Sequence, residues 1–90
     1  MQRELKKLKI QVVGPGCKRC LMTESNVRSA CTQLHLDATI SHIYDMNEFP
    51  ELGVTFTPAV IVDGKIIVQG EVPTVEELKN LFLRRRNLYK

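Results

Sequence analysis

The sequence predicts an α/β domain in which strands and helices follow one another in the order β-α-β-α-β-β-α. Residues Leu8 to Val13 alternate between apolar and polar side chains, which is typical of a strand. Apolar residues then recur at helical spacing between Cys20 and Leu34, which predicts an amphipathic helix. Further along, two short apolar runs flank Asp63-Gly64, a residue pair that favours a tight β-hairpin turn.

Length and composition predict one small globular domain. The chain has 90 residues, of which 43% are hydrophobic and 26% charged, and both proportions are ordinary for a folded protein. We expect a single monomeric domain over residues 1–90, with an ordered core over about residues 8–83. The net charge of +3 is too small to indicate nucleic acid as a partner. Segment Met1 to Lys7 lacks the apolar centre of a signal peptide, and no apolar run approaches the ~20 residues of a membrane span. We therefore expect a cytoplasmic protein that does not bind membranes.

The first strand is followed by a sharp turn and a long helix. Gly14-Pro15-Gly16 supplies the turn. The helix is expected to begin at or just after Cys17 and to end near His35. The residues predicted to share its buried face are Cys20, Val27, Ala30, Cys31 and Leu34.

The second half of the chain predicts three strands and two helices. Asp37 to Tyr44 is expected to form a strand, and Asn47 to Leu52 a short helix closed by Gly53. Ala59 to Val62 and Ile66 to Gln69 are the two strands of the predicted hairpin. The last helix is predicted to start at a capping box formed by Thr74 and Glu77. Its inward face is predicted to be an apolar stripe of Val75, Leu78, Leu81 and Phe82.

Cys17-Lys18-Arg19-Cys20 carries the clearest chemical signal. Two cysteines three positions apart at a helix start bring their sulfurs within bonding distance. Cys17 would meet unpaired backbone amides and the positive end of the helix dipole, which both favour its thiolate. Lys18 and Arg19 add positive charge and are candidate thiolate-stabilising residues. We expect a catalytic dithiol in which Cys17 attacks a disulfide and the shielded Cys20 resolves the mixed disulfide.

Thr57-Pro58 is the second candidate site feature. Proline cannot donate to a sheet ladder, so it fits at the start of the strand Ala59 to Val62. It would lie beside the two cysteines if that strand pairs next to the first strand. Position alone leaves the Thr57–Pro58 bond either cis or trans, and a cis bond would turn the Thr57 backbone toward the sulfurs.

These motifs together resemble the thioredoxin/glutaredoxin superfamily, and most closely its small thioredoxin-like redox-active disulfide proteins. The matching segments are Gly16 to Cys20, Gly53-Val54 ahead of Thr57-Pro58, and Val60 to Lys65, within a likeness that covers about residues 8 to 83. The resemblance implies a thioredoxin fold, with a four-stranded mixed sheet flanked by three helices. It also implies a cis bond at Pro58, Cys17 as nucleophile and Cys20 as resolving residue.

The implied function is that of a thiol–disulfide oxidoreductase without a cofactor. Its substrates would be disulfides of proteins or small thiols, bound beside Thr57 and Pro58, and an unidentified reductase would restore the dithiol. The chain departs from the family in four ways: Gly16 replaces an aromatic residue, Lys18-Arg19 replaces Gly-Pro between the cysteines, the first strand carries no acid, and Gly70-Glu71 stands in place of paired glycines. The electron donor therefore stays open.

Two other functions remain as alternatives. A soft-metal carrier would also use a Cys-x-x-Cys motif after a first strand, although it does not call for Thr57-Pro58. A thioredoxin-like adaptor would contain the dithiol without using it. Outside the motif, Cys31 is expected to pack in the core. Tyr44 and Phe56 could flank the site or pack in the core, and the core is the expected position. His35 and His42 are expected to be structural or solvent-facing.

Overall fold

A computed structural model describes residues 8–87, with side chains described through Arg84. The predicted charged segment Met1 to Lys7 lies outside the described residues. The helices and strands are β1 (Leu8–Val13), α1 (Lys18–Leu34), β2 (Ala38–Ile43), α2 (Phe49–Leu52), β3 (Ala59–Val62), β4 (Lys65–Gln69) and α3 (Val75–Asn87). This succession confirms the predicted order β-α-β-α-β-β-α. Each predicted boundary falls within one or two residues of the observed one, and the first residues of the predicted short helix belong to a 3₁₀ turn at Met46–Glu48.

The four strands form one mixed sheet in the order β2-β1-β3-β4. β1 runs parallel to β2 and antiparallel to β3, while β4 runs antiparallel to β3. The turn between β3 and β4 places Asp63 and Gly64 at φ angles of 50° and 86°. Both angles are positive, as the predicted two-residue hairpin turn requires.

Apolar side chains cover both faces of the sheet. The larger cluster joins β1 and β3 to α1 and α3, and its buried members are Leu8, Ile10, Val12, Val27, Ala30, Cys31, Val60, Val62, Leu78 and Phe82. The smaller cluster lies on the opposite face with α2, and consists of Val13, Phe49, Val54, Ala59 and Ile61. Because β3 is buried on both faces, all four of its residues are apolar and β-branched or small.

The end of α1 and the start of α3 are fixed by capping interactions. α1 ends at His35, which adopts the left-handed conformation with φ 55° and donates its backbone amide to the last carbonyls. α3 starts at the predicted capping box: Glu77 N donates to Thr74 Oγ1 at 3.1 Å, and Thr74 N donates to Glu77 Oε1 at 2.9 Å. Within residues 8–87, the longest helices fall short of the length and apolar character that crossing a bilayer requires.

Candidate active site

The two cysteines of the motif lie at the N-terminus of α1 as free thiols, 3.1 Å apart between their sulfurs. Cys17 is the N-cap residue, with extended backbone angles, and its carbonyl accepts the first helical hydrogen bond from Leu21 N at 3.0 Å. Cys17 is exposed, whereas Cys20 is fully buried. The pair therefore presents one sulfur to solvent and keeps the other behind it.

The surroundings shift the pKa values of the two thiols in opposite directions. A hydrogen bond from the Cys20 thiol lowers the pKa of Cys17, and the backbone amides of Cys20 and Arg19 and the Arg19 charge lower it further. Burial raises the pKa of Cys20, and its hydrogen bond to Cys17 adds to that increase. The exposed thiol is thus the one that ionises more readily, as attack on a disulfide requires.

The turn before the motif packs directly against the buried sulfur. A methyl group added at Gly14 would overlap Cys20 Sγ and would lie 3.8 Å from Thr57 Cβ. Gly14 N donates to Ile43 O at 3.0 Å, which ties the turn to the end of β2. Only glycine leaves room for this contact between the turn and Cys20.

Thr57 and Pro58 lie where the chain enters β3, with Thr57 close to the Gly14 turn. The Thr57–Pro58 peptide bond is cis, and Pro58 is buried. The end of β4 fixes this segment: Gly70 N donates to Pro58 O at 2.9 Å, and Gln69 Oε1 accepts from Thr55 N and Phe56 N. Thr57 thus lies close to Gly14 and Cys20, and Pro58 follows it in the chain.

The two basic residues between the cysteines have different surroundings. The Arg19 guanidinium reaches across the site and donates to Gly70 O at 3.1 Å, whereas Lys18 is exposed on the first turn of α1. Arg19 thus connects the motif to the loop after β4. Its charge is also the one that lowers the pKa of Cys17.

The expectation that Tyr44 and Phe56 pack in the core is wrong. Their exposed fractions are 54% and 64%, and both lie at the site. A Cβ added at Gly16 would lie 3.1 Å from Tyr44 Cε2, and one at Gly70 would lie 3.2 Å from Phe56 Cβ. Tyr44 directly follows the end of β2, whereas Phe56 lies in the segment that leads into β3.

Sequence patterns do not predict the side chains that lie behind the Cys-x-x-Cys motif, which are Tyr44, His42 and Glu24. The Tyr44 ring stacks on His42, with centroids 3.8 Å apart and planes 8° from parallel. His42 in turn contacts Glu24, which is 18 positions away in the chain. Helical spacing places Glu24 on α1 but gives no indication of this partner.

The fold and the dithiol define a class, that of the thioredoxin-fold proteins with an exposed and a buried thiol at one helix start. Comparisons with known proteins agree with it. The sequence profile of the Thioredoxin domain matches residues 8–83. A thioredoxin of Methanothermobacter thermautotrophicus is 39% identical over 74 residues, which cover 82% of this chain and 96% of that protein. A thioredoxin of Methanocaldococcus jannaschii is 41% identical over 70 residues, covering 78% and 80%.

Solved structures share the fold at low sequence identity. A malarial protein superposes with a TM-score of 0.67 at 9% identity, covering 88% of this chain and 97% of its own. The germline-specific thioredoxin Deadhead of Drosophila melanogaster gives a TM-score of 0.59 at 21% identity, covering 87% and 80%. This chain belongs to the thioredoxin family. It is a thiol–disulfide oxidoreductase, and membership of the family implies disulfide-containing protein substrates and a reductase partner.

Proposed function

We propose that Cys17 is the attacking thiol of this oxidoreductase and that Cys20 is the resolving thiol. One observation carries the assignment: the sulfurs are 3.1 Å apart, with Cys17 exposed and Cys20 buried. The opposite shifts of their pKa values support the same division, because the thiolate is the attacking species.

The exchange proceeds in two displacements. The Cys17 thiolate attacks one sulfur of the substrate disulfide, the substrate S–S bond breaks, and the leaving thiolate takes up a proton. Cys20 then loses its proton and attacks Cys17 Sγ in the mixed disulfide, which releases the second substrate thiol. The substrate gains two electrons and two protons, and the Cys17–Cys20 pair becomes a disulfide. A reductase reverses the last change.

The substrate would bind beside Thr57 and Pro58. Thr57 lies against the Gly14 turn, and the exposed Phe56 ring adjoins it in the chain. Lys18 and Arg19 would stabilise the Cys17 thiolate, with Arg19 held in place by Gly70. The proposed substrates include disulfides of small thiols as well as those of proteins. The proposal includes a monomer that works in the cytoplasm, where reduced thiols are maintained.

Single-cysteine variants test the two roles. Cys17→Ser should abolish reduction of a model protein disulfide. Cys20→Ser should instead accumulate a mixed disulfide through Cys17, because the resolving thiol is missing. The products are separated on a non-reducing gel and identified by mass. Cys31→Ala is the matched control and should reduce the substrate like the parent protein, since Cys31 lies in the core. Equal trapping by the Cys17 and Cys20 variants would contradict the assignment.

A further inference from the structure

A polar cluster lies directly behind the active-site turn and has no part in the exchange as described so far. It consists of Glu24 and Arg28 of α1 and His42 of β2. His42 Nδ1 is 2.7 Å from Glu24 Oε1, and His42 Nε2 is 3.1 Å from the Gly14 carbonyl oxygen. Only 5% of the His42 side chain is exposed, so both contacts are shielded from water.

The carboxylate sets the orientation of the imidazole ring. Both groups that face the ring are acceptors, the Glu24 carboxylate at Nδ1 and the Gly14 carbonyl at Nε2. Glu24 is in turn bound by Arg28 at 2.8 Å. The hydrogen bond from His42, followed by that from Arg28, lowers the pKa of Glu24, so the carboxylate stays ionised as an acceptor. With Nδ1 bound to Glu24, the geometry of the ring directs Nε2 at Gly14.

Gly14 is therefore held through both of its polar backbone groups. Its amide donates to Ile43 O at 3.0 Å, and its carbonyl faces His42 Nε2. The Cα atom of Gly14 packs against Cys20 so closely that an added methyl group would overlap the sulfur. His42 thus fixes the piece of backbone against which the buried sulfur packs.

We propose that His42, oriented by Glu24, is a positioning residue for the second displacement. It holds Gly14 against Cys20, and so keeps the Cys20 sulfur aimed at Cys17. The inference rests on the proposed function, because it assigns a role within the two-step exchange. The first displacement depends on Cys20 only through its hydrogen bond to Cys17, so loss of His42 should slow resolution far more than the first displacement.

A small chromogenic disulfide separates the two displacements in one experiment. Dithiobis(nitrobenzoate) reacts with the Cys17 thiolate to form a mixed disulfide and release one coloured thiolate. Attack by Cys20 on Cys17 then forms the internal disulfide and releases a second coloured thiolate. Stopped-flow absorbance gives both rates. If the parent protein releases no second thiolate, the proposed function fails and the inference fails with it.

Two substitutions at His42 separate its two contacts. Asn reaches as far as the imidazole Nδ1 and can keep the contact to Glu24, whereas Gln reaches as far as Nε2 and can still donate to Gly14. His42→Asn should slow the second release about ten- to a hundredfold, the loss expected when a reacting group is misplaced, and should slow the first release much less. His42→Gln should recover much of that rate. His35→Asn is the matched control, because His35 is exposed and Asn tolerates its left-handed conformation.

A second pair of variants avoids any change in the buried ring. Glu24→Ala and Arg28→Ala both place a strong helix former on α1, so both should fold. Both also remove the Arg28–Glu24 ion pair, but only Glu24→Ala frees His42 Nδ1. Glu24→Ala should slow the second release several-fold, and Arg28→Ala should change it little.

Three results would overturn the inference. One is a second release in His42→Asn that is as fast as in the parent protein. Another is a His42→Asn variant in which both releases slow equally and in proportion to the loss of unfolding free energy measured in urea, because that result would indicate a purely structural role. The third is a Glu24→Ala variant that behaves like Arg28→Ala.

Discussion

Cys17 owes its lowered pKa to several contacts at the start of α1. The largest is the hydrogen bond from Cys20, followed by backbone amides, with the Arg19 charge as a further contribution. Because Arg19 is anchored to Gly70 O, its charge stays close to the motif. Lys18 is exposed and makes no comparable hydrogen bond within the described part of the chain. Its stabilisation of the Cys17 thiolate therefore stays a prediction.

Charge reversal at the motif tests this account through the pH dependence of alkylation. In the parent protein, the rate of Cys17 alkylation should rise through a midpoint below the ordinary cysteine pKa of about 8.5. The double substitution of Lys18 and Arg19 by Glu should move that midpoint to higher pH, because a negative charge disfavours the thiolate. Measurement by iodoacetamide labelling at a series of pH values gives the midpoint directly.

The single substitutions divide the effect between the two side chains. Arg19→Gln should raise the midpoint more than Lys18→Gln, since only Arg19 is fixed beside the site. High salt should shrink the difference between variants, because exposed charges are screened. An identical pH profile in the double variant would leave the helix end and Cys20 as the sole sources of activation.

The residues that carry chemistry could be predicted because they form local patterns, whereas their supporting residues could not. Cys17 and Cys20 are three positions apart at a helix start, and Thr57-Pro58 directly precedes a strand. The contact from His42 to Gly14 spans 28 positions, and no periodicity indicates such a pair. The expected core position of Tyr44 is wrong because an aromatic residue at a strand end can point into the protein or remain outside it.

Single elements follow their local sequence closely. α1 buries Cys20, Val27, Ala30 and Cys31 on one face, as the spacing predicts. That face also buries Thr23, a polar residue that the apolar pattern leaves out. Its hydroxyl donates to Arg19 O at 2.9 Å, which satisfies the group inside the helix and permits burial.

The start of α3 offers a test of element stability that leaves the dithiol untouched. Thr74→Ala removes the acceptor for Glu77 N, so the free energy of unfolding should fall by about 1 kcal/mol. Urea denaturation measures the loss. Thr74→Ser is the matched control, because serine keeps the hydroxyl and should keep most of the stability. A Thr74→Ala variant as stable as the Thr74→Ser variant would show that the capping box contributes nothing.

The active site depends on the arrangement of the whole sheet. Parallel β1 and β2 end at the same edge, and the antiparallel β3 begins there. β4 returns to that edge because it runs antiparallel to β3. Four features consequently meet around the start of α1: the turn at Gly14, the ring of Tyr44, the Thr57–Pro58 segment and Gly70.

This convergence marks the limit of what the sequence alone predicts. Strands, helices and the hairpin turn each have local signals, and their succession was predicted correctly. The order β2-β1-β3-β4 has no local signal, and the expectation that Pro58 lies near Cys17 depended on β3 pairing with β1. A shift between Val60 and Ile61 in the pairing of β3 with β4 was not predicted for the same reason.

The most direct test of the central claim is the redox equilibrium of the Cys17–Cys20 couple in buffers of glutathione and its disulfide. The protein is equilibrated, quenched with acid, alkylated and analysed by mass. We predict one transition with a two-electron slope, about 30 mV per tenfold change in the equilibrium ratio, in which Cys17 and Cys20 form the disulfide. Cys31 should remain a thiol throughout, because it is buried away from the pair. Failure of Cys17 and Cys20 to form this bond under any buffer ratio, or a disulfide that includes Cys31 instead, would contradict thiol–disulfide exchange at this site.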